Sequence, residues 1–278
     1  MGRLAWRIAA AVSVISTLIG VATAIWARFR APFHLQVKQV VVQLPRRHRH
    51  LDGLTIAFVT DTHVGPHFPA SSLQSVLREL EAARPDIVLL GGDYISESPR
   101  FLKDAVPVLS QIGKTGRLGC WAILGNHDMA NSRTRVIPAI EDAAIPVLIN
   151  DAVRIETGKG DLWVVGIDDG LLGTPDLDLA YTQVPADAAS ICLWHEPDRV
   201  EESAPYGSFL QLSGHTHGGQ VRLPVVGPLA TPSLGRNFVL GRFRIGDMEL
   251  YVSGGIGMYR PPVRLNCPPE LTMVRLVG

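Results

Sequence analysis

Five of the nine histidines in this 278-residue chain sit in short polar clusters beside acidic, amide or glycine residues. The clusters are Asp61/His63, Asp93, Asn126/His127/Asp128, His195 and His215/His217, and each follows an apolar run. Carboxylate, amide oxygen and neutral imidazole together suit Mn, Fe, Zn, Co or Ni. Thiolate is missing from the set. Cys120, Cys192 and Cys267 form no CxxC pair, and the first two lie in apolar, strand-like runs as small core residues. Asp61, His63, Asp93, Asn126, His195, His215 and His217 make seven donors, too many for one ion. Two ions about 3.5–4 Å apart, bridged by one carboxylate, would use them all, clamp a phosphate and lower the pKa of a bridging water. The hydroxide so formed could attack phosphorus in line with the leaving group.

The densest cluster is Ser213-Gly214-His215-Thr216-His217-Gly218-Gly219-Gln220. At a strand end, residues i and i+2 point the same way, so two imidazoles can converge on one point. Glycine lets the backbone turn tightly there. Taken alone, the stretch also reads as a Gly-rich turn with two surface histidines. Its recurrence as one of five ligand clusters at strand ends favours metal binding, because ligands of open α/β sheets gather outside the carboxyl ends of the strands. His48 and His50 are also two apart, but no glycine turn or apolar strand frames them.

The elements that would carry these clusters are legible as apolar runs. Strands are expected at 54–60, 86–90, 119–124, 191–194 and 209–212, each running into a cluster. Helices are expected at 71–83, with Ser71 or Ser72 as N-cap, at 101–112, with Pro107 weakening its middle, and at 133–144. Runs 153–156 and 162–167 read as one hairpin, 238–245 and 249–252 as another, and 271–277 as a closing strand. Short, nearly continuous apolar strands separated by helices argue for a sheet covered on both faces.

Charge is balanced, with 26 basic and 26 acidic residues, so there is no footprint for nucleic acid. Hydrophobic residues make up 46% of the chain, and the excess is concentrated in the first thirty residues. The run 8–27 carries no charge and is long enough to span a hydrocarbon core, with Trp6 and Trp26 at its ends. It reads as an uncleaved single-pass anchor in the cell (inner) membrane. The other reading is a signal peptide cleaved at Ala22-Thr23-Ala24. Arg3 and Arg7 before it are balanced by Arg28 and Arg30 after it, so the charges assign the domain no side. Residues 1–31 are thus the membrane segment, 32–50 a linker with a first strand, and 51–278 the catalytic domain. The basic cluster Arg46-Arg47-His48-Arg49-His50 could touch anionic headgroups or form a solvated turn.

In their order, Asp61-x-His63, Gly92-Asp93, Gly125-Asn126-His127-Asp128, His195 and Gly214-His215-Thr216-His217 resemble the motifs of the calcineurin-like metallophosphoesterases. The resemblance runs from about Leu51 to the end and implies a four-layer α/β/β/α sandwich. It implies that Asp61, His63 and His217 hold a first metal and Asn126, His195 and His215 a second, with Asp93 bridging. His127 would contact the phosphate or protonate the leaving group, with Asp128 orienting its ring; Asp128 could instead cap the following helix. The arginine that grips phosphate in protein Ser/Thr phosphatases is missing after Asp93, where Ser96-Glu97-Ser98 follows, and Arg133 or Arg135 could substitute.

The sequence further resembles a membrane-associated bacterial subgroup through His195-Glu196-Pro197-Asp198, the run 214–224 and the run 263–270. Members are similar to phosphodiesterases and to pyrophosphatases of UDP-2,3-diacylglucosamine, a lipid A precursor. The implied function is a membrane-anchored hydrolase of phosphodiester or pyrophosphate bonds, with two divalent metals, manganese first, and a lipid-linked substrate. Arg264, Asn266 and Cys267 would shape the site edge or serve structure alone. A phosphomonoesterase of the same fold and a catalytically silent metal-binding membrane module are the alternatives.

Overall fold

The computed structural model describes residues 2–130 and 132–278, without the side chain of Leu4. Helix α1 (Gly2–Phe29) leads through strand β1 (Gln36–Gln43) into β2 (Thr55–Val59), α2 (Gln74–Ala83), β3 (Ile87–Leu90), α3 (Leu102–Gly113), β4 (Gly119–Ala122), α4 (Asn126–Ala130) and α5 (Arg133–Glu141). The second half runs β5 (Asp151–Glu156), β6 (Asp161–Gly166), α6 (Leu177–Tyr181), β7 (Ala189–Leu193), α7 (Val200–Ser203) and β8 (Leu210–Ser213). It ends with β9 (Arg222–Leu223), β10 (Gly227–Pro228), β11 (Gly241–Ile245), β12 (Met248–Val252) and β13 (Glu270–Val277). The first sheet has the order β1-β13-β2-β3-β4 and the second β11-β12-β8-β7-β6-β5. β2, β3 and β4 are parallel, as are β6, β7, β8 and β12.

The apolar runs are continuous because each strand serves two cores. Ile56 and Phe58 of β2 and Ile87 and Leu89 of β3 face the second sheet, meeting Val164, Ile191, Leu193 and Leu212. Their neighbours Ala57, Val59, Val88 and Leu90 face outward onto Val76 and Leu80 of α2, Leu109 of α3 and Ile140 of α5. The second sheet's outer face is covered by the short helices α6 and α7, with Cys192 under Ala180 and Tyr181 and Val252 under Val200. The result is the expected α/β/β/α layering. All three cysteines are buried and free.

Helix α3 runs unbroken through Pro107. An interior proline costs about 3 kcal/mol, whereas burying Val108, Leu109 and Ile112 against the sheet contributes about 1.5–3 kcal/mol each. Packing therefore outweighs the missing hydrogen bond.

The stretch Ala5–Phe33 is long and apolar enough to cross a membrane by length and composition. Its end is seated on the domain. Ala27, Ala31 and Pro32 are buried, the Arg264 N–H donates to the Ala27 carbonyl at 3.0 Å, and Phe33 stacks on Phe68. Residues 32–50 supply β1, which pairs in parallel with β13. The basic cluster forms a 3-10 segment (Arg46–Leu51) at the other end of β1. Eight strand residues put it roughly 26 Å from the base of α1.

Candidate metal centre

Every sequence-predicted donor lies just past a strand. Asp61 and His63 follow β2, Asp93 follows β3, Asn126 opens α4 after β4, His195 follows β7, and His215 and His217 follow β8. Asp61, His63, Asp93, His215 and His217 hold left-handed backbones, with φ between 43° and 69°. Such kinks turn successive side chains off the strand axis. The convergence of His215 and His217 thus comes from two left-handed residues beyond β8, not from the strand's two-residue alternation.

Their side chains form one buried cluster. Asp93 Oδ2 lies 3.4 Å from His63 Nε2 and 3.3 Å from His195 Nε2. Asp61 Oδ1 lies 3.4 Å from His217 Nε2 and 3.9 Å from His195 Nε2. The ring of His217 sits 4.8 Å from that of His63, and the ring of His215 sits 5.2 Å from that of His195. His215 Nδ1 is 3.0 Å from Asn126 Oδ1. The cluster therefore has two halves, with Asp61, His63 and His217 in one and Asn126, His195 and His215 in the other. Asp93 reaches both.

Backbone carbonyls fix the ring tautomers. His195 Nδ1 donates to the Gly91 carbonyl at 2.7 Å, which turns Nε2 toward Asp93. His215 Nε2 donates to the Ser233 carbonyl at 2.7 Å, which frees Nδ1 on the Asn126 side. Outer partners of this kind orient metal-binding imidazoles. Burial and the neighbouring charges of His63 and Arg264 hold His217 well below the usual histidine range. Burial, then His195, likewise lowers His215. Both shifts favour the neutral ring that a metal ligand needs. Burial alone would raise the Asp93 carboxyl, but His195 and His63 beside it hold it well below the usual carboxylate range.

These residues fit a cation. The Nε2 atoms of His63 and His195 are buried and have no hydrogen-bond partner. Unsatisfied buried polar atoms are costly and rare, and a metal ion satisfies them. The donors are hard oxygens and imidazoles. The close glycines show how tightly the cradle is drawn: a Cβ at Gly125 would run into Asp93 and His195, and one at Gly214 into Asp61 and Thr60.

His127 lines the pocket with its ring 4.9 Å from that of His63, and burial lowers its pKa. Its backbone N–H donates to Asp93 Oδ1 at 2.8 Å. Ligand atoms of His63, Asp93 and His127 also come within 4.8 Å of one another. Asp128 has different partners from the imidazole that the resemblance implies. Its carboxylate accepts the N–H groups of Asp93 at 2.7 Å, Tyr94 at 2.9 Å and Gly125 at 3.1 Å. It braces the Asp93 loop against the start of α4. Burial and the Asp93 charge push its carboxyl up to about 8, against the pull of those N–H donors.

Arg133 is paired with Asp168 at 3.1 Å and does not grip the site. The exposed Asn266 donates to the Arg222 carbonyl, and Cys267 Sγ donates to the His217 carbonyl at 3.1 Å. His48 is buried beside Arg47, away from the cluster.

Two residues were missed in the sequence. Tyr259 packs its ring 4.3 Å from that of His127. Arg260 stands at the pocket rim, paired with Glu97 at 2.8 Å. The glycine run 254–257 just before them was the available signal. Gly255 lies against the Asp61 side chain and Gly257 against the Thr62 carbonyl, which only glycine permits. Arg264 proves structural as well as peripheral. It is fully buried and spends its guanidinium on the carbonyls of Gly254, Gly255, Gly257, Cys267 and Pro268. It also lies 3.4 Å from His217 Nδ1.

Above the cluster opens a cavity of about 430 Å³. Asp93, Asn126, His127, His215 and His217 line it from the cluster, and Val221, Leu229, Pro232 and Pro261 supply its apolar lining. A layered α/β domain that gathers such donors beneath one open pocket is a metal-dependent hydrolase of phosphoester bonds. The chain belongs to the calcineurin-like phosphoesterases, whose family model matches residues 54–219. Among its relatives, the metallophosphoesterase YkuE of Bacillus subtilis is 30% identical over 90% of this chain and 88% of its own. The phosphodiesterase YaeI of Escherichia coli is 32% identical over 80% of this chain and 82% of its own. UDP-2,3-diacylglucosamine pyrophosphatase LpxG of Chlamydia trachomatis is 27% identical over 92% and 93% respectively.

Proposed function

We propose that the chain is a membrane-anchored, two-metal phosphohydrolase that cleaves phosphodiester or pyrophosphate bonds of a lipid-linked substrate. Asp93 carries the reading. One carboxylate oxygen faces two buried, unpartnered imidazole nitrogens, 3.4 Å and 3.3 Å away in the two halves of the cluster. Asp61, His63 and His217 would hold one ion and Asn126, His195 and His215 the other, with Asp93 shared. Manganese heads the candidates, and iron, zinc, cobalt and nickel suit the same donors. Bound there, divalent cations supply Lewis acidity toward phosphoryl oxygens and bring the pKa of water near neutrality.

The chain's own side chains do the rest. His127, kept neutral by burial, contacts the phosphate or manages the proton of the leaving group from the pocket wall. Tyr259 packs against its ring and limits its movement. Among the described pocket-lining residues Arg260 is the one lysine or arginine, and Glu97 already neutralises it. The second negative charge of a monoester therefore finds no unpaired lysine or arginine among those residues, which favours diesters and pyrophosphates. The apolar lining and α1 favour an amphipathic substrate. The likeness to LpxG makes a nucleoside-diphosphate-linked diacyl sugar such as UDP-2,3-diacylglucosamine the substrate type to try first. The apolar helix α1 supports reading the chain as a single-pass protein of the inner membrane.

Detergent-solubilised full-length protein with Mn²⁺ is expected to hydrolyse bis-p-nitrophenyl phosphate faster than the monoester. Asp93→Asn and His217→Ala should cut that rate more than about a hundredfold, beyond the usual loss from an outer-shell partner. A folded, metal-loaded protein that cleaves no phosphoester overturns the proposal. Mass spectrometry of a lipid extract incubated with the enzyme identifies the substrate.

A further inference from the structure

We propose that the β9–β10 hairpin is a second membrane contact, whose apolar tip enters a phospholipid surface and brings the pocket mouth to the lipid. The inference rests on the reading of α1 as a membrane anchor. Between Arg222–Leu223 and Gly227–Pro228 the chain turns through Pro224, Val225 and Val226. Val225 is fully exposed, Val226 is 70% exposed, and Leu229 just beyond is 58% exposed. Val225 also holds φ 68°, a left-handed backbone that a β-branched residue adopts only under constraint. Contiguous apolar side chains on a protein surface mark a contact with something apolar.

Continuity identifies what covers them. The base of the hairpin is stitched to the segment 264–266. Arg222 N–H donates to the Leu265 carbonyl at 2.9 Å, Leu265 N–H to the Gln220 carbonyl at 2.9 Å, and the Asn266 side-chain amide to the Arg222 carbonyl at 2.9 Å. The same segment is bonded to the last turns of α1, Arg264 N–H to the Ala27 carbonyl at 3.0 Å. The hairpin base therefore lies within a few residues of the place where α1 leaves the membrane. Trp26 and Phe29 stand exposed on those turns, with Arg28 and Arg30 beside them. Such a set sits at a headgroup boundary and suits anionic lipid. The hairpin also gives Val221 and Leu229 to the pocket wall. An acyl chain drawn from the bilayer can thus follow one apolar path from the tip to the cluster, which receives its phosphoryl group.

The test uses the full chain in vesicles of phosphatidylethanolamine and phosphatidylglycerol. The native cysteines are buried, so an environment-sensitive maleimide dye marks single introduced cysteines in Val226→Cys, Val14→Cys and Glu156→Cys. Val14 is in α1. Glu156 is in the β5–β6 hairpin, whose Lys159 bonds Asp52 beyond the far end of β1. Hydrolysis of bis-p-nitrophenyl phosphate checks that each variant is folded. Lipid carrying a doxyl quencher near the headgroup end of its acyl chain should remove about half or more of the fluorescence at position 226, the depth of an interfacial contact. A quencher near the methyl end should act on position 14, and neither should act on position 156. Quenching at 14 without quenching at 226 overturns this inference and leaves the anchor intact. No quenching at 14 overturns the anchor itself. Protection of the dye at 226 by a second copy of the chain, read as crosslinked dimer without quenching, also overturns it.

Discussion

At the scale of single residues, the neighbours Asp128 and His127 make different contacts, Asp128 through its carboxylate and His127 to Asp93 through its backbone N–H. Three buried N–H groups end on the Asp128 carboxylate. Leaving one such group unsatisfied costs about 1–3 kcal/mol. Asp128→Ala is expected to lose at least about 3 kcal/mol of stability by thermal or urea unfolding, and to bind metal roughly 10- to 100-fold more weakly. His127→Ala leaves that brace in place, because its bond to Asp93 comes from the backbone N–H. It should keep its full metal content, by elemental analysis, while turnover falls about 10²- to 10⁴-fold. Loss of an ion from that variant would instead make His127 a ligand. The residue types and their order were legible in the sequence, because carboxylate, amide and imidazole donors recur at the ends of its apolar runs whatever the fold. The left-handed backbones of Asp61, His63, Asp93, His215 and His217 were not. Each costs a non-glycine residue about 1–2 kcal/mol, and only the closing of the loops imposes it. Tyr259 was hidden for a related reason: no spacing along the chain links it to His127.

At the scale of elements, the two-residue period of the strands did most of the positioning. It sends Ile56 and Phe58 to one core and Ala57 and Val59 to the other, so each strand is locked on both faces and its end is fixed in space. That pattern identifies a strand but is silent about its neighbours. β13 was legible as an apolar run, yet its place between β1 and β2 depends on pairings with residues more than two hundred positions away. Arg264 ties such distant pieces together. Its side chain joins the 254–257 loop to Cys267 and Pro268, and its N–H holds α1. Arg264→Met keeps the bulk but strips the carbonyls of their donors. It should lower the melting temperature by several degrees, since each lost charge-assisted bond is worth about 1.5–3 kcal/mol. Metal content and turnover should fall with it through His217, and Arg264→Lys should restore only part of the loss, because an ammonium cannot span the same carbonyls.

At the scale of the whole molecule, an apolar helix, a two-sheet sandwich and a pocket meet around one short segment, 264–268. The open end of the cluster, the base of α1 and the β9–β10 hairpin all attach there. Composition signalled the helix, and the motifs signalled the domain. Neither could signal that the two are fastened together, because single hydrogen bonds between distant loops leave no periodic trace. The placement of β13 also sets a timetable for biosynthesis. β1 emerges directly behind α1, but among the described residues its only strand partner is β13, with Gln36 opposite Glu270. At about 5–20 residues per second, translation of the intervening chain takes roughly 10–50 s. On the proposed reading of α1 as an anchor, the helix can already be in the bilayer over that interval while the sheet it leads into stands open. Ribosome-arrested chains stopped before β13 should therefore show a protease-sensitive 34–50 segment beside a membrane-protected α1. Chains extended through β13 should lose that sensitivity. The protein would reach its membrane well before it has an active site.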